Sequence, residues 1–131
     1  MNWFKRKPIV TAVAVPKTGW MRTRSGGKFK YEGDYTAYAF DIEEIAHALS
    51  NICRFSGHCK SHYSVAQHSM LVHMLAPKEL RLAALMHDAA EAYVTDLPRP
   101  IKIGMPCFKR MEEEIQAAIC QRHHVSIAAS L

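Results

Sequence analysis

The residues best suited to chemistry fall between Arg54 and Lys102, in the segments RFSGHCKSHYSVAQHS and HDAAEAYVTDLPRPIK. His68, His87 and Asp88 can each offer a lone pair to a divalent cation. Glu91 and Asp96 follow the His-Asp pair at helical spacing. On a helix, Glu91 lies one turn beyond His87 and Asp88, so the three project from adjoining positions of one face. An aspartate beside Leu80, Leu82, Leu85 and Met86 is costly to bury unless it is paired or coordinates a metal. His68 taken alone also reads as a core histidine with a hydrogen-bond partner. Imidazoles, a buried aspartate and neighbouring acids together suit a site that holds a cation, binds phosphate oxygen and activates water. The chemistry indicated is metal-assisted hydrolysis.

Helices must carry these groups. Ile42, Ile45, Ala46, Leu49 and Ile52 recur at helical intervals behind Asp41, a suitable N-cap, and predict a helix ending near Asn51 to Arg54. A polar loop with Gly57 follows. Ser64 and Gln67 form a capping box for a second helix, whose inward stripe is predicted to be Val65, His68, Leu71, Val72 and Leu75. Pro77 suits the first turn of a third helix, predicted to run unbroken through LRLAALMHDAAEAYVTD until Leu97-Pro98-Arg99-Pro100 stops it. A fourth should begin after Pro106 and run through MEEEIQAAIC, with Glu112, Glu113 and Glu114 early, as the helix dipole prefers. Ahead of these, strand-like flanks around Ser25-Gly26-Gly27 predict a hairpin over Trp20 to Tyr31, and Gly33-Asp34 marks another turn. The expected fold is mainly α, a helical bundle with a small N-terminal β hairpin. Residues 1–40 read as an N-terminal extension and 41–131 as the helical domain.

The 131 residues suffice for one hydrophobic core, and a composition 49% hydrophobic and 22% charged is that of a globular chain. A net charge of +5 favours a polyanionic partner, nucleic acid or nucleotide phosphate. Much of the excess lies in Lys5, Arg6, Lys7, Lys17, Arg22, Arg24, Lys28 and Lys30, for which a solvated basic region is the plainer account. Cys53, Cys59, Cys107 and Cys120 form no CxxC pair and read as reduced, mostly packed thiols of a cytoplasmic protein. Cys53, His58, Cys59 and His62 have a spacing that fits no common structural zinc class. The start has basic residues before an apolar run, but that run spans only Ile9 to Val15 between two prolines. Val10, Ala12 and Ala14 alternate as in a short extended segment, so secretion is not expected. No stretch approaches transmembrane length, and no membrane partner is expected.

The ordered set R-F, S-V-A-Q-H-S, H-D-A-A-E-A and D-L-P-R-P-I-K resembles the HD-domain phosphohydrolases. Within them it is most similar to the small bacterial 5′-deoxynucleotidases and the phage or prophage deoxynucleotide phosphohydrolases. The resemblance covers about Asp41 to Lys102, and more weakly the helix to Cys120. It implies that His68 is the first metal ligand and that His87 and Asp88 are the HD pair. Glu91 falls at the family's catalytic carboxylate near the phosphate, and Asp96 at its second functional carboxylate. Arg54 matches a phosphate-contacting arginine. Phe55 stands where an aromatic rests against the sugar and helps select deoxyribose, and Lys102 adds positive charge nearby. The implied cofactor is a divalent cation (Zn, Mn, Co or Mg), and the implied partner a deoxynucleoside mono- or triphosphate.

The family's fourth ligand is an aspartate on a later helix, and no aspartate follows Asp96 here. The expectation is therefore a shortened domain with an incomplete site, an exposed apolar patch and self-association into a homo-oligomer. Glu112 to Glu114, His123, His124 or a neighbouring subunit could substitute. Two other function classes stand beside the enzyme. One is a non-catalytic nucleotide- or metal-binding remnant. The other is a single-stranded nucleic-acid module built on the basic hairpin with Trp20, Phe29 and Tyr31.

Overall fold

Asp41 opens the helical part of the chain, its carboxylate accepting from the backbone N–H groups of Glu43 and Glu44. The computed structural model describes residues 19–126, so the basic cluster Lys5 to Lys17 and the alternating Val10 to Ala14 segment lie outside the described residues. Helix α1 (Ile42–Asn51) follows Asp41 and buries Ile45 and Leu49, while Ile42 stays about half exposed at 48%. Ser64 and Gln67 close the predicted capping box, with bonds of 2.8 and 3.1 Å, and start α2 (Val65–Leu75).

The inward stripe of α2 is corrected. Val65 and Ser69 are buried, but Leu71 and Leu75 are 46% and 78% exposed, together with Met70 and Met74. The helix is apolar on nearly every side, so periodicity could not choose its face. At about 100° per residue, the six-residue step from Val65 to Leu71 carries the side chain far round the helix. We expect Leu75→Gln to change stability by no more than about 0.5 kcal/mol, as surface changes do. By contrast, Leu49→Ala should cost about 2–5 kcal/mol as a buried large-to-small change. Urea unfolding of both variants would show the difference. A Leu75→Gln cost as large as that of Leu49→Ala would mean that this face is covered.

The predicted third helix is broken. A 3₁₀ turn over Lys78–Leu80 leads into α3 (Arg81–Met86), and the chain resumes as α4 (Glu91–Val94) only after a turn at residues 87–90. Through the break, bonds tighten to three-residue steps: Ala89 N–H to Met86 O at 3.1 Å, then Glu91 N–H to Asp88 O at 3.0 Å. Thr95, with φ of 72°, then ends α4. The Pro-Arg-Pro stretch stops that helix as expected, but it also begins another, α5 (Arg99–Ile103). Pro100 occupies its first turn, where a missing N–H costs no intrahelical bond. Helix α6 (Pro106–Arg122) starts ahead of the acidic run, so Glu112 to Glu114 sit mid-helix and the first turn holds no acid.

The hairpin pairs β1 (Trp20–Arg22) antiparallel with β2 (Lys28–Lys30), placing Met21 opposite Phe29. Phe29 is 1% exposed and stacks on Tyr93 of α4, with ring centroids 4.4 Å apart. Tyr31 donates to the Tyr93 carbonyl. Glu44 of α1 accepts from the hydroxyls of Ser25, Tyr38 and Tyr93. Burial pushes Glu44 upward, but the surrounding hydroxyls outweigh it and hold the carboxyl below its usual range. The hairpin and the helices thus share one aromatic core. The architecture is mainly helical with a small two-stranded hairpin, as the sequence predicts. Among the described residues, no helix is long and apolar enough to cross a membrane.

Candidate metal centre

The break between α3 and α4 is where the chemistry gathers. His87 and Asp88 occupy the turn, and His68 reaches them from α2, which packs along α3. One donor atom from each of the three lies within 4.8 Å of the others, and they form the one such group among the described residues. His87 Nε2 is 2.8 Å from Asp88 Oδ2, and His68 Nε2 is 3.5 Å from the same oxygen. Two imidazoles and a carboxylate are a sound donor set for a divalent cation that keeps open positions. The residues present fit such an ion.

The two histidines are prepared differently. His87 Nδ1 donates to the Ala84 carbonyl at 2.7 Å, which fixes the tautomer and leaves Nε2 facing Asp88. His68 Nδ1 lies 3.0 Å from Arg54 Nη1, and because a guanidinium only donates, Nδ1 must accept. The His68 proton then sits on Nε2, toward Asp88. Ligation through Nε2 requires that proton to leave and Arg54 to swing away from Nδ1. Burial and the Arg54 charge hold His68 below the ordinary histidine value. Burial also draws His87 down, but the bond to Asp88 and its charge, with the Ala84 carbonyl, carry it above. Burial raises Asp88, and the two histidines with Arg54 more than offset that, so it lies low and stays ionised.

Glu91 opens α4 beside them. It is 4% exposed, and its Oε2 has no hydrogen-bond partner. Burial, followed by the charges of Asp88 and Asp96, pushes its carboxyl up to about 9. A cleft of about 600 Å³ is lined by His68, His87, Asp88 and Glu91, with Arg54, Phe55, Asp96 and Lys102 around them. All eight residues singled out from sequence therefore border one space. Arg54 Nε is 3.5 Å from Asp96 Oδ2, and its guanidinium lies over the Phe55 ring, 4.8 Å from the centroid. Lys102 Nζ is paired with Glu112 Oε1 at 2.8 Å.

The proposed substitutes for a fourth ligand do not join the group. Glu112 is held by Lys102, and His123 Nε2 contacts the Phe40 carbonyl at 2.7 Å. His124, with φ of 53°, lies in the turn that ends α6. Of the hairpin aromatics, Phe29 is in the core and Tyr31 is tied to Tyr93, which leaves Trp20 presented beneath Lys28.

Sequence reasoning missed Arg99, Ile103 and Lys109, which line the outer cleft. It also missed Gln116 of α6. Gln116 accepts from the Ala90 N–H at 2.9 Å and donates to the Met86 carbonyl at 2.7 Å, so it bridges the break that carries His87 and Asp88. A polar residue between Ile115 and Ala118 on an otherwise inward helix face was the available signal.

No family model matches the chain. It is 48% identical over 103 residues to the uncharacterized protein YfdR of Escherichia coli K12. It is 34% identical over 113 residues to an uncharacterized protein of Rhodobacter capsulatus. Each match covers 79% of this chain and 57% of the relative, so the chain spans little more than half the length of the curated relatives it matches.

Proposed function

We propose that the protein is a metal-dependent phosphohydrolase acting on deoxynucleotides in the cytoplasm. The observation that carries this reading is the convergence of His68, His87 and Asp88 beside the buried, unpartnered Glu91, in a cleft that also presents Arg54 and Lys102. A divalent cation held by the three ligands would polarise a phosphate oxygen and lower the pKa of water. Arg54, once off His68, neutralises charge on the phosphate, and Asp96 holds the guanidinium in the cleft. In the metal-free protein, burial and the Asp88 and Asp96 charges raise the Glu91 carboxyl, which suits it to carry a proton for a departing oxygen. Phe55, 57% exposed at the cleft wall, offers a ring for the sugar to lie against.

The deciding experiment is a screen of deoxynucleoside mono- and triphosphates with added Mn²⁺, Co²⁺ or Zn²⁺, reading release of phosphate or tripolyphosphate. Turnover that appears with metal and vanishes with chelator supports the reading. Metal binding without turnover on any of them would favour the non-catalytic alternative. With three protein ligands, the ion should be lost on dialysis and activity should need roughly millimolar added metal, the weak end of divalent affinities.

Sugar selectivity provides a further check. A 2′-hydroxyl pressed against the Phe55 ring would lose water without gaining a partner, at about 1–3 kcal/mol. We therefore expect dAMP over AMP, and dATP over ATP, to be preferred by about tenfold or more in activity or thermal shift. Equal responses within both pairs would remove Phe55 from that role.

A further inference from the structure

In an unbroken α-helix the Ala90 N–H would bond to the Met86 carbonyl, one turn back, and that bond would enclose His87 and Asp88. Here the carboxamide of Gln116 stands between the two groups. Its Oε1 accepts from the Ala90 N–H at 2.9 Å, and its Nε2 donates to the Met86 carbonyl at 2.7 Å. A backbone N–H only donates and a carbonyl only accepts, so the amide can face just one way. Nε2 also donates to Cys120 Sγ at 3.4 Å, which engages its second hydrogen. Around this point Ala89, Glu91, Ala92 and Tyr93 all bond three residues back, at 2.9 to 3.2 Å. The four-residue step returns only with Thr95 N–H to Glu91 O at 2.8 Å. A side chain inserted into the helical ladder is a known cause of a break. The local sequence supplies no other cause: Leu85 to Ala92 contains no glycine or proline and three alanines. Gln116 is itself held firmly, because Ile115 and Ile119 of α6 are fully buried on either side of it.

We propose that Gln116 is a positioning residue, whose carboxamide holds the chain open between α3 and α4 and so sets His87 and Asp88 where they can share a cation with His68. The inference rests on the reading of those three residues as a metal centre. A three-residue step turns the chain about 20° further per residue than an α-helical one. Closing the ladder would therefore rotate Asp88 and Glu91 relative to α3, and with it relative to His68, which packs along α3 from α2. The two bonds of one distant side chain thus fix the angle at which the donor set meets.

The test joins nuclear magnetic resonance of the isotope-labelled, metal-free chain to a Co²⁺ titration by calorimetry. Coupling across the hydrogen bond should link the Ala90 amide nitrogen to Gln116 Cδ in the unsubstituted chain. In Gln116→Met, which fills a similar volume but makes neither bond, that coupling should pass to the Met86 carbonyl carbon. Co²⁺ affinity should fall in the same variant by about 10–100-fold, as when a group that orients a ligand is lost. A side chain that merely fills space would leave both readouts unmoved. An Ala90 coupling to Met86 in the unsubstituted chain would overturn the inference, whether or not the variant folds. So would equal Co²⁺ affinity in the two chains. An unsubstituted chain that shows the Gln116 coupling but binds no Co²⁺ would instead sink the metal centre itself, and the positioning role with it.

Discussion

Glu91→Gln should lower turnover by about 10²–10⁴-fold, the usual contribution of a general acid or base, while leaving metal content unchanged. The carboxyl is buried and lies outside the ligand group, and glutamine matches its shape but cannot transfer the proton. The same substitution should alter stability in a pH-dependent way. Burial and the nearby Asp88 and Asp96 charges push the folded-state value to about 9, from an ordinary 4.5. A raised acid favours the folded state only while protonated. The metal-free parent should therefore lose stability as pH climbs from the ordinary carboxylate range toward 9, by up to about 1.4 kcal/mol per pH unit. Glutamine has no such slope. In chelator, Glu91→Gln should match the parent near pH 4 and exceed its melting temperature increasingly toward pH 8. A constant gap across that window would show that Glu91 is ionised in the fold, and undiminished turnover would remove it from the mechanism.

Asp88→Asn should remove metal binding and activity together. Asp88 supplies the charged donor of the group, with one oxygen 2.8 Å from His87 Nε2 and 3.5 Å from His68 Nε2. Losing even an outer partner of a ligand costs about 10–100-fold in metal affinity, so losing the anionic ligand itself should exceed that. Mn²⁺ or Co²⁺ titration by calorimetry would measure it. The Asp88 charge is also one reason the Glu91 carboxyl lies high, so Asp88→Asn should bring Glu91 down and flatten the pH dependence described above. Retained affinity for the cation with the fold intact would mean that the ion sits elsewhere.

The elements that were legible in the sequence are those decided within a few residues. Asp41 bonds to Glu43 and Glu44, and Ser64 bonds to Gln67, so each helix start is a local event. The spacing of His87, Asp88 and Glu91 likewise needed only a helical path. That path is preserved in outline, although the turn between α3 and α4 interrupts it.

What the tertiary structure alone decided rests on partners far away along the chain. Gln116 bridges the break from 26 and 30 residues distant, and nothing near Met86 announces it. Glu44 is buried because hydroxyls from the hairpin and from Tyr93, 49 residues away, converge on it. The outward turn of Leu71 and Leu75 was hidden because α2 offers apolar residues on nearly every side. The amino-acid sequence by itself determined the starts of α1 and α2, the hairpin and the identity of the groups able to hold a cation, since each is fixed by neighbours within a turn or two. Only the packed structure decided that Arg54 sits on His68 and that Glu91 is left buried without a partner, because these depend on which surfaces meet, and burial is settled by the whole core at once.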